Sequence, residues 1–210
     1  MNKNTGSLRS PIRKAIFPAA GFGTRFLPVT KALPKEMLPI VDKPVIQYLV
    51  EEAVAAGIEE IIIITGRGKR AIEDHFDHSF ELEYNLVEKG KTQLLKEVRA
   101  IENLAKFIYI RQAKPLGDGH AILQAREIIG NEPFAVLFGD DVVDSKVPAI
   151  QQLMKVYEQT SSSVIGLERI AREESIHYGM VAPKHSSLSP NPRLIEVGGL
   201  IEKPQPTAAP

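Results

Sequence analysis

A chain of 210 residues with 43% hydrophobic content is long enough to bury a core and predicts one domain or at most two. Lysine plus arginine and aspartate plus glutamate stand at 26 each, and this neutral balance excludes a general nucleic-acid or membrane-surface binder, so any anionic ligand must be met by a local cluster. The absence of cysteine excludes disulfides, thiolate metal sites and cysteine nucleophiles, and fits a reducing cytoplasm.

Met1 to Pro11 is polar and reads as a loose tail. Arg13 and Lys14 ahead of an apolar run faintly mimic a signal peptide, but Pro18 and the glycines interrupt it, so Ala15, Ile16 and Phe17 are predicted as a short buried strand halted by Pro18. Beyond it, Gly21 and Gly23 permit positive φ and leave room for backbone N–H groups to face phosphate oxygens. Arg25, Lys31 and Lys35 follow at irregular spacing along a proline-broken segment, which an extended loop can bend onto one anionic ligand. Gly21-Phe22-Gly23 alone is more often a turn, and it completes neither better-known phosphate fingerprint: Phe26 stands where a dinucleotide motif needs its third glycine, and no GK[ST] follows.

Pro44 suits a first helical turn, and Ile46, Leu49, Val50, Ala53 and Val54 continue the stripe until Gly57 stops it. Ile61 to Thr65 has no polar alternation and predicts a strand buried on both faces. There follow a helix over Arg70 to Phe76, a longer helical region ending near Ile101, a strand at Phe107 to Arg111, a helix marked by Ala121, Ile122, Ala125 and Ile129, a strand over Phe134 to Phe138, a helix through Val147, Ile150, Met154 and Tyr157, and a strand at Ser163 to Glu168. This alternation predicts an α/β fold with a doubly wound, mainly parallel, Rossmann-like sheet and ligands at the carboxyl ends of its strands. The expected organisation is a tail over 1–11, one domain over 12–204 and a Pro-rich tail over 205–210. The longest apolar runs are far too short to cross a bilayer.

Several residues carry chemistry. Gly139-Asp140-Asp141 follows a strand and places a carboxylate where a hard divalent cation on phosphates needs oxygen ligands, although a post-strand turn reads the same way. Gln112, at a strand end, offers an amide donor and acceptor that suit the imide edge of uracil, and Gly117 and Gly119 let backbone approach a planar base. His75 and His78 are spaced for a metal, but no third ligand is close in sequence, and the surface or structural reading is preferred.

The opening loop with KEMLP at Lys35 to Pro39 closely resembles the signature of the sugar-nucleotide pyrophosphorylases, in particular their bacterial UDP-glucose branch. VDKPVIQY at Val41 to Tyr48, AIEDHFD at Ala71 to Asp77, Arg111-Gln112, LGDGHA at Leu116 to Ala121, GDD at Gly139 to Asp141, Tyr178-Gly179 and EKP at Glu202 to Pro204 extend it in family order over nearly the whole chain.

The resemblance implies uridylyl transfer from UTP to glucose 1-phosphate, giving UDP-glucose and pyrophosphate, with Mg²⁺ as cofactor. It assigns Arg25, Lys35 and Lys203 to the phosphates, Ala20, Gly21, Gly23, Thr24, Glu36, Gln112 and Gly117 to the nucleotide, Tyr178, Gly179 and Glu202 to the sugar, and Asp140 to the metal. It also implies a cytoplasmic enzyme, a homo-oligomer in full-length form, and a longer chain carrying further sheet and a second metal-binding aspartate. The 210-residue form is accordingly expected to lack that C-terminal part, to bind nucleotide weakly and to associate through uncovered apolar surface. Asp118 departs from the family pattern, where an apolar residue is usual; it weakens triphosphate binding or caps the following helix. A thymidylyl or other sugar nucleotidyltransferase, and a non-catalytic nucleotide-sugar binder, are the alternatives. Glu36 followed by Met37 favours the uridylyl branch, since glutamine is usual in the thymidylyl one.

Overall fold

The computed structural model describes residues 12–139, 141–184, 191 and 193–210. The chain forms two compact units, one reaching to Ile165 and one over Gly166–Pro210, whereas the sequence suggested a single domain over 12–204. In the first unit the elements run β1 (Lys14–Pro18), β2 (Pro39–Ile40), β3 (Lys43–Pro44), α1 (Val45–Ala55), β4 (Glu60–Thr65), α2 (Arg70–Phe76), α3 (Phe80–Glu88), α4 (Thr92–Glu102), β5 (Lys106–Arg111), α5 (Asp118–Leu123), α6 (Arg126–Ile129), β6 (Ala135–Val136) and α7 (Ala149–Thr160). Four strands make a parallel sheet in the order β5-β4-β1-β6, and β2 and β3 pair as a short antiparallel arm.

The unbroken isoleucine run of β4 explains the layering. Successive side chains on a strand point to opposite faces. Ile61 and Ile63 join Phe17, Leu49, Val50, Ile72, Phe76 and Ile150 in one layer, under α1, α2 and α7. Ile62 and Ile64 join Ile16, Ala121, Ala125 and Ile129 in the other, under α5 and α6. Helices therefore cover both faces, as the doubly wound expectation required. A carboxylate oxygen of Glu52 in α1 accepts from the Ile150 N–H at 2.9 Å, satisfying a free donor in the first turn of α7 and tying the two helices of one layer together.

Three local expectations are corrected. The helical region ending near Ile101 is two helices, because Gly90 adopts φ +63° and the Lys91 and Gly90 N–H groups close back on the carbonyls of Leu86 and Val87. The stripe from Ala121 to Ile129 is likewise divided between α5 and α6. The run Ser163 to Glu168 forms no strand; Ile165 and Leu167 are about half exposed, and without a hydrogen-bonded neighbour an apolar run does not make a ladder. The strand expected over Phe134 to Phe138 pairs with β1 at Ala135 and Val136, and the Leu137 N–H continues to the Ile16 carbonyl.

The second unit is built on β7 (Gly179–Pro183) and β8 (Val197–Glu202), paired antiparallel with a register irregularity at Ala182/Pro183. A 3-10 segment at Arg172–His177 is held to the chain beyond β8 by the fully buried Ser175, whose hydroxyl donates to the Pro204 carbonyl at 2.9 Å.

Candidate active site

At the carboxyl ends of the four parallel strands, the chain after β1 folds into 3-10 turns at Thr24–Phe26, Val29–Lys31 and Lys35–Met37. Gly23 takes the left-handed conformation (φ +65°, ψ +33°) that starts the first turn, and its carbonyl accepts from the Thr30 hydroxyl at 2.8 Å. A Cβ at Gly23 would lie 3.1 Å from Lys35 Cβ, so the loop has doubled back onto Lys35. Gly23, Thr24, Arg25, Phe26 and Lys35 thereby line one cleft of about 230 Å³. Lys31 is exposed and lines neither this cleft nor the next.

A second cleft of about 170 Å³ opens two residues away along the same loop, lined by Pro18, Ala20, Gly21, Gln112, Pro115, Gly117, Asp118 and Ala121. Each is smaller than the roughly 300–1,000 Å³ of drug-sized sites. Gln112 reaches its place because its N–H continues the β4–β5 ladder to the Thr65 carbonyl at 2.8 Å. Gln112 is 7% exposed, and its amide nitrogen donates to the Gly117 carbonyl at 3.1 Å and lies 2.9 Å from His120 Nδ1. Asp118 is the first residue of α5 and lines the cleft; the N-cap is Gly117, so the capping role considered for Asp118 is not what it does.

Beneath the loop, Glu36 is fully buried, and its Oε2 accepts from Lys69 Nζ at 2.7 Å. Glu36 was expected among the nucleotide contacts; instead its carboxylate pairs inside the protein and lines neither cleft, because burial of a carboxylate demands a cationic partner. Gly139, just past β6, packs on the same side chain: a Cβ there would fall 2.8 Å from Glu36 Cγ. Gly66 serves the other side of the loop, since a Cβ would fall 2.8 Å from the Ala20 carbonyl oxygen. Lys69 and Gly66 were missed in the sequence, where lysine reads as surface and an isolated glycine as a turn. The metal expectation rests on Asp140, which lies outside the described residues.

The residues expected at the sugar come together in the second unit. Gly179 faces Glu202 across the β7–β8 ladder, and a Cβ on Gly179 would lie 3.1 Å from Glu202 Oε2. The Lys203 N–H donates to the Tyr178 carbonyl at 3.1 Å, and Lys203 Nζ lies 3.2 Å from Glu202 Oε1. Tyr178, Gly179, Glu202 and Lys203 thus form one end of one hairpin.

The histidines divide. His75 Nε2 meets Gln47 Oε1 at 3.0 Å, and burial pushes its imidazole down. His78 Nδ1 lies 2.7 Å from Glu83 Oε1 and 3.2 Å from Glu102 Oε2, while Arg99 donates to the other Glu83 oxygen at 2.7 Å. Among the described residues this is the one His and carboxylate group with metal-like spacing, but its two anionic groups are matched by two basic ones. Glu102 ends the helix leading into the amino end of β5, away from Gln112 at the other end, so the cluster is structural clamping rather than part of the cleft.

The nucleotidyl transferase family profile matches residues 14–210. A UTP–glucose-1-phosphate uridylyltransferase of Bacillus subtilis (strain 168) is 59% identical over 199 residues, covering 95% of this chain and 67% of the relative. Among solved structures, a UTP-bound UGPase from Acinetobacter baumannii is 42% identical with TM-score 0.86, covering 95% of this chain and 70% of that one. A UDP-glucose pyrophosphorylase complexed with UDP-glucose is 44% identical with TM-score 0.81, covering 95% and 72%. Among the described residues no helix is long and apolar enough to cross a membrane. With a glycine loop and two adjoining clefts at the carboxyl edge of a doubly wound sheet, and with relatives of this similarity, the chain belongs to the nucleotidyl transferase family, where it groups with the bacterial UTP–glucose-1-phosphate uridylyltransferases.

Proposed function

We propose that this chain carries the transfer of the uridylyl group of UTP to glucose 1-phosphate, giving UDP-glucose and pyrophosphate. The observation that carries the reading is the pairing of two clefts on one loop: Gln112 and Gly117 line the one, and Arg25 and Lys35 line the other, so base and phosphate chemistry are adjacent. A phosphate oxygen of glucose 1-phosphate attacks the α-phosphorus in line, and the bond to the pyrophosphate oxygen breaks. No enzyme nucleophile is required, and positioning and charge stabilisation carry the reaction, by analogy with phosphoryl transfer.

Ala20 and Gly21 line the base cleft beside Gln112, while Gly23 and Thr24 line the phosphate cleft, where Arg25 would take the leaving phosphates and Lys35 the bridging region. Tyr178, Gly179 and Glu202 are assigned to the hexose, and Lys203 to its phosphate. Mg²⁺ on Asp140 would supply Lewis-acid stabilisation of the α-phosphate oxygens. Among the described residues, the buried Glu36 Oε1 accepts no hydrogen bond and is an oxygen of the kind a hard cation takes. A cytoplasmic location and homo-oligomerisation of the longer family form belong to the same proposal.

The test is calorimetric titration of UTP and dTTP with Mg²⁺, with pyrophosphate release followed for each in the presence of glucose 1-phosphate. UTP is expected to bind and turn over preferentially. Equal or faster turnover with dTTP sinks the uridylyl assignment.

A further inference from the structure

Behind Gln112, outside the lining of the cleft, stands a residue whose role no resemblance assigned. His120, on α5, lies with its Nδ1 2.9 Å from the amide nitrogen of Gln112. That nitrogen is fixed as the donor end of the amide by its bond to the Gly117 carbonyl at 3.1 Å, since a carbonyl oxygen only accepts. His120 Nδ1 must therefore be the acceptor of the second amide hydrogen, which sets the imidazole as the Nε2–H tautomer. Gln124, one turn further along, has its amide nitrogen 3.2 Å from the His120 carbonyl and 3.3 Å from His120 Nε2; it donates to the carbonyl, because a neutral ring accepts at one nitrogen only.

We infer that His120 is a positioning residue that sets which base Gln112 reads. Both amide hydrogens of Gln112 are engaged, one on Gly117 and one on His120, so the oxygen is the group left to face a ligand. An acceptor matches a pyrimidine that carries a hydrogen on N3, as uracil does, and opposes cytosine, whose N3 is itself an acceptor. With the His120 acceptor lost, only the Gly117 bond holds the amide, which can then turn to offer an N–H to a cytosine N3. Discrimination between the two bases would thus come from a histidine that itself need not touch the base. This inference rests on the proposed nucleotide site.

The experiment measures the affinities of UTP and CTP in parallel, by calorimetry with Mg²⁺, for the full chain and for His120→Leu, His120→Phe and His120→Asn. Leucine and phenylalanine remove the acceptor, and phenylalanine keeps a ring should the leucine variant fail to fold. Asparagine carries an oxygen the same number of bonds from the backbone as Nδ1 and restores the acceptor. The UTP:CTP affinity ratio is expected to fall about tenfold in the variants without an acceptor and to stay within about threefold of the parent in His120→Asn. A ratio unchanged in His120→Phe, or lost equally in His120→Asn, overturns the inference, because a purely packing role would alter both affinities together. A parent that does not distinguish UTP from CTP overturns instead the nucleotide reading beneath it.

Discussion

Lys69 Nζ and Glu36 Oε2 meet at 2.7 Å with neither side chain more than 6% exposed, and they join the turn carrying Lys35 to the chain after β4. Removing one partner strands the other charge in a water-poor site. Lys69→Met is therefore expected to cost about 3–5 kcal/mol, while the double variant Glu36→Leu with Lys69→Met recovers much of that loss. Urea unfolding of the parent, both single variants and the double variant closes the cycle. A single-variant loss below about 1 kcal/mol would mean that the pair is hydrated in solution.

Two glycines on the same loop system should respond oppositely. Gly66→Ala drives a methyl against the Ala20 carbonyl oxygen, a backbone atom that cannot swing aside, and about 1–3 kcal/mol of stability should be lost. Gly21→Ala meets nothing within 4 Å, so its stability should match the parent while UTP affinity drops if phosphate or base must approach the backbone there. Chemical unfolding and nucleotide titration on both proteins test the contrast. Equal stability of the two variants would show that Ala20 yields.

The His78 clamp gives stability a pH dependence. Its hydrogen bond to Glu102, reinforced by the Glu83 charge, holds the imidazole above its ordinary value of 6.5. The folded chain thus holds the proton more tightly than the unfolded one. The contribution is complete below 6.5 and is lost as pH rises through the raised value. His75 acts in the opposite sense, because its lowered value costs stability as pH falls below 6.5. Melting temperatures of parent and His78→Leu across this range should differ most on the acid side and converge on the alkaline side. A pH-independent gap would assign the clamp to packing alone.

Lys203 has φ +45°, a left-handed backbone that disfavours any side chain. Lys203→Gly should raise stability by about 0.5–1 kcal/mol, since its exposed ion pair with Glu202 adds little, and should lower turnover with glucose 1-phosphate. Thermal unfolding and a pyrophosphate assay on one preparation test the trade. A stability loss would show that the strained backbone is not costly there.

What could be read in the sequence follows from how locally each feature is encoded. The strands β1, β4 and β5 and the helices α1 and α2 announce themselves by composition and spacing over a few residues. The break between α3 and α4 was written in Gly90, but the apolar spacing on either side hid it. Ser163 to Glu168 had strand composition and no partner, and pairing is a property of the sheet rather than of the segment. In the site, Gly23, Arg25, Lys35, Gln112 and Gly117 were recognised as types suited to phosphate and base, and the fold groups them in two adjoining clefts. Glu36 was misplaced and Lys69 overlooked for one reason: they lie 33 residues apart, and nothing in either neighbourhood signals that two charges will be buried together.

Four consecutive isoleucines in β4 leave the strand without an internal address. Sliding it by one residue would exchange the two core layers with almost no change in side-chain shape, so the usual penalty for misalignment is nearly silent here. The address is supplied from the ends, by Glu60 accepting from Lys106 at 2.7 Å and by Gly66 lying under the Ala20 carbonyl. A slip would carry Thr65, and with it the anchor of Gln112, about 3.3 Å along the sheet. The cleft beside Gln112 is therefore indexed from outside the core, by Glu60 at one end of the strand and Gly66 just past the other.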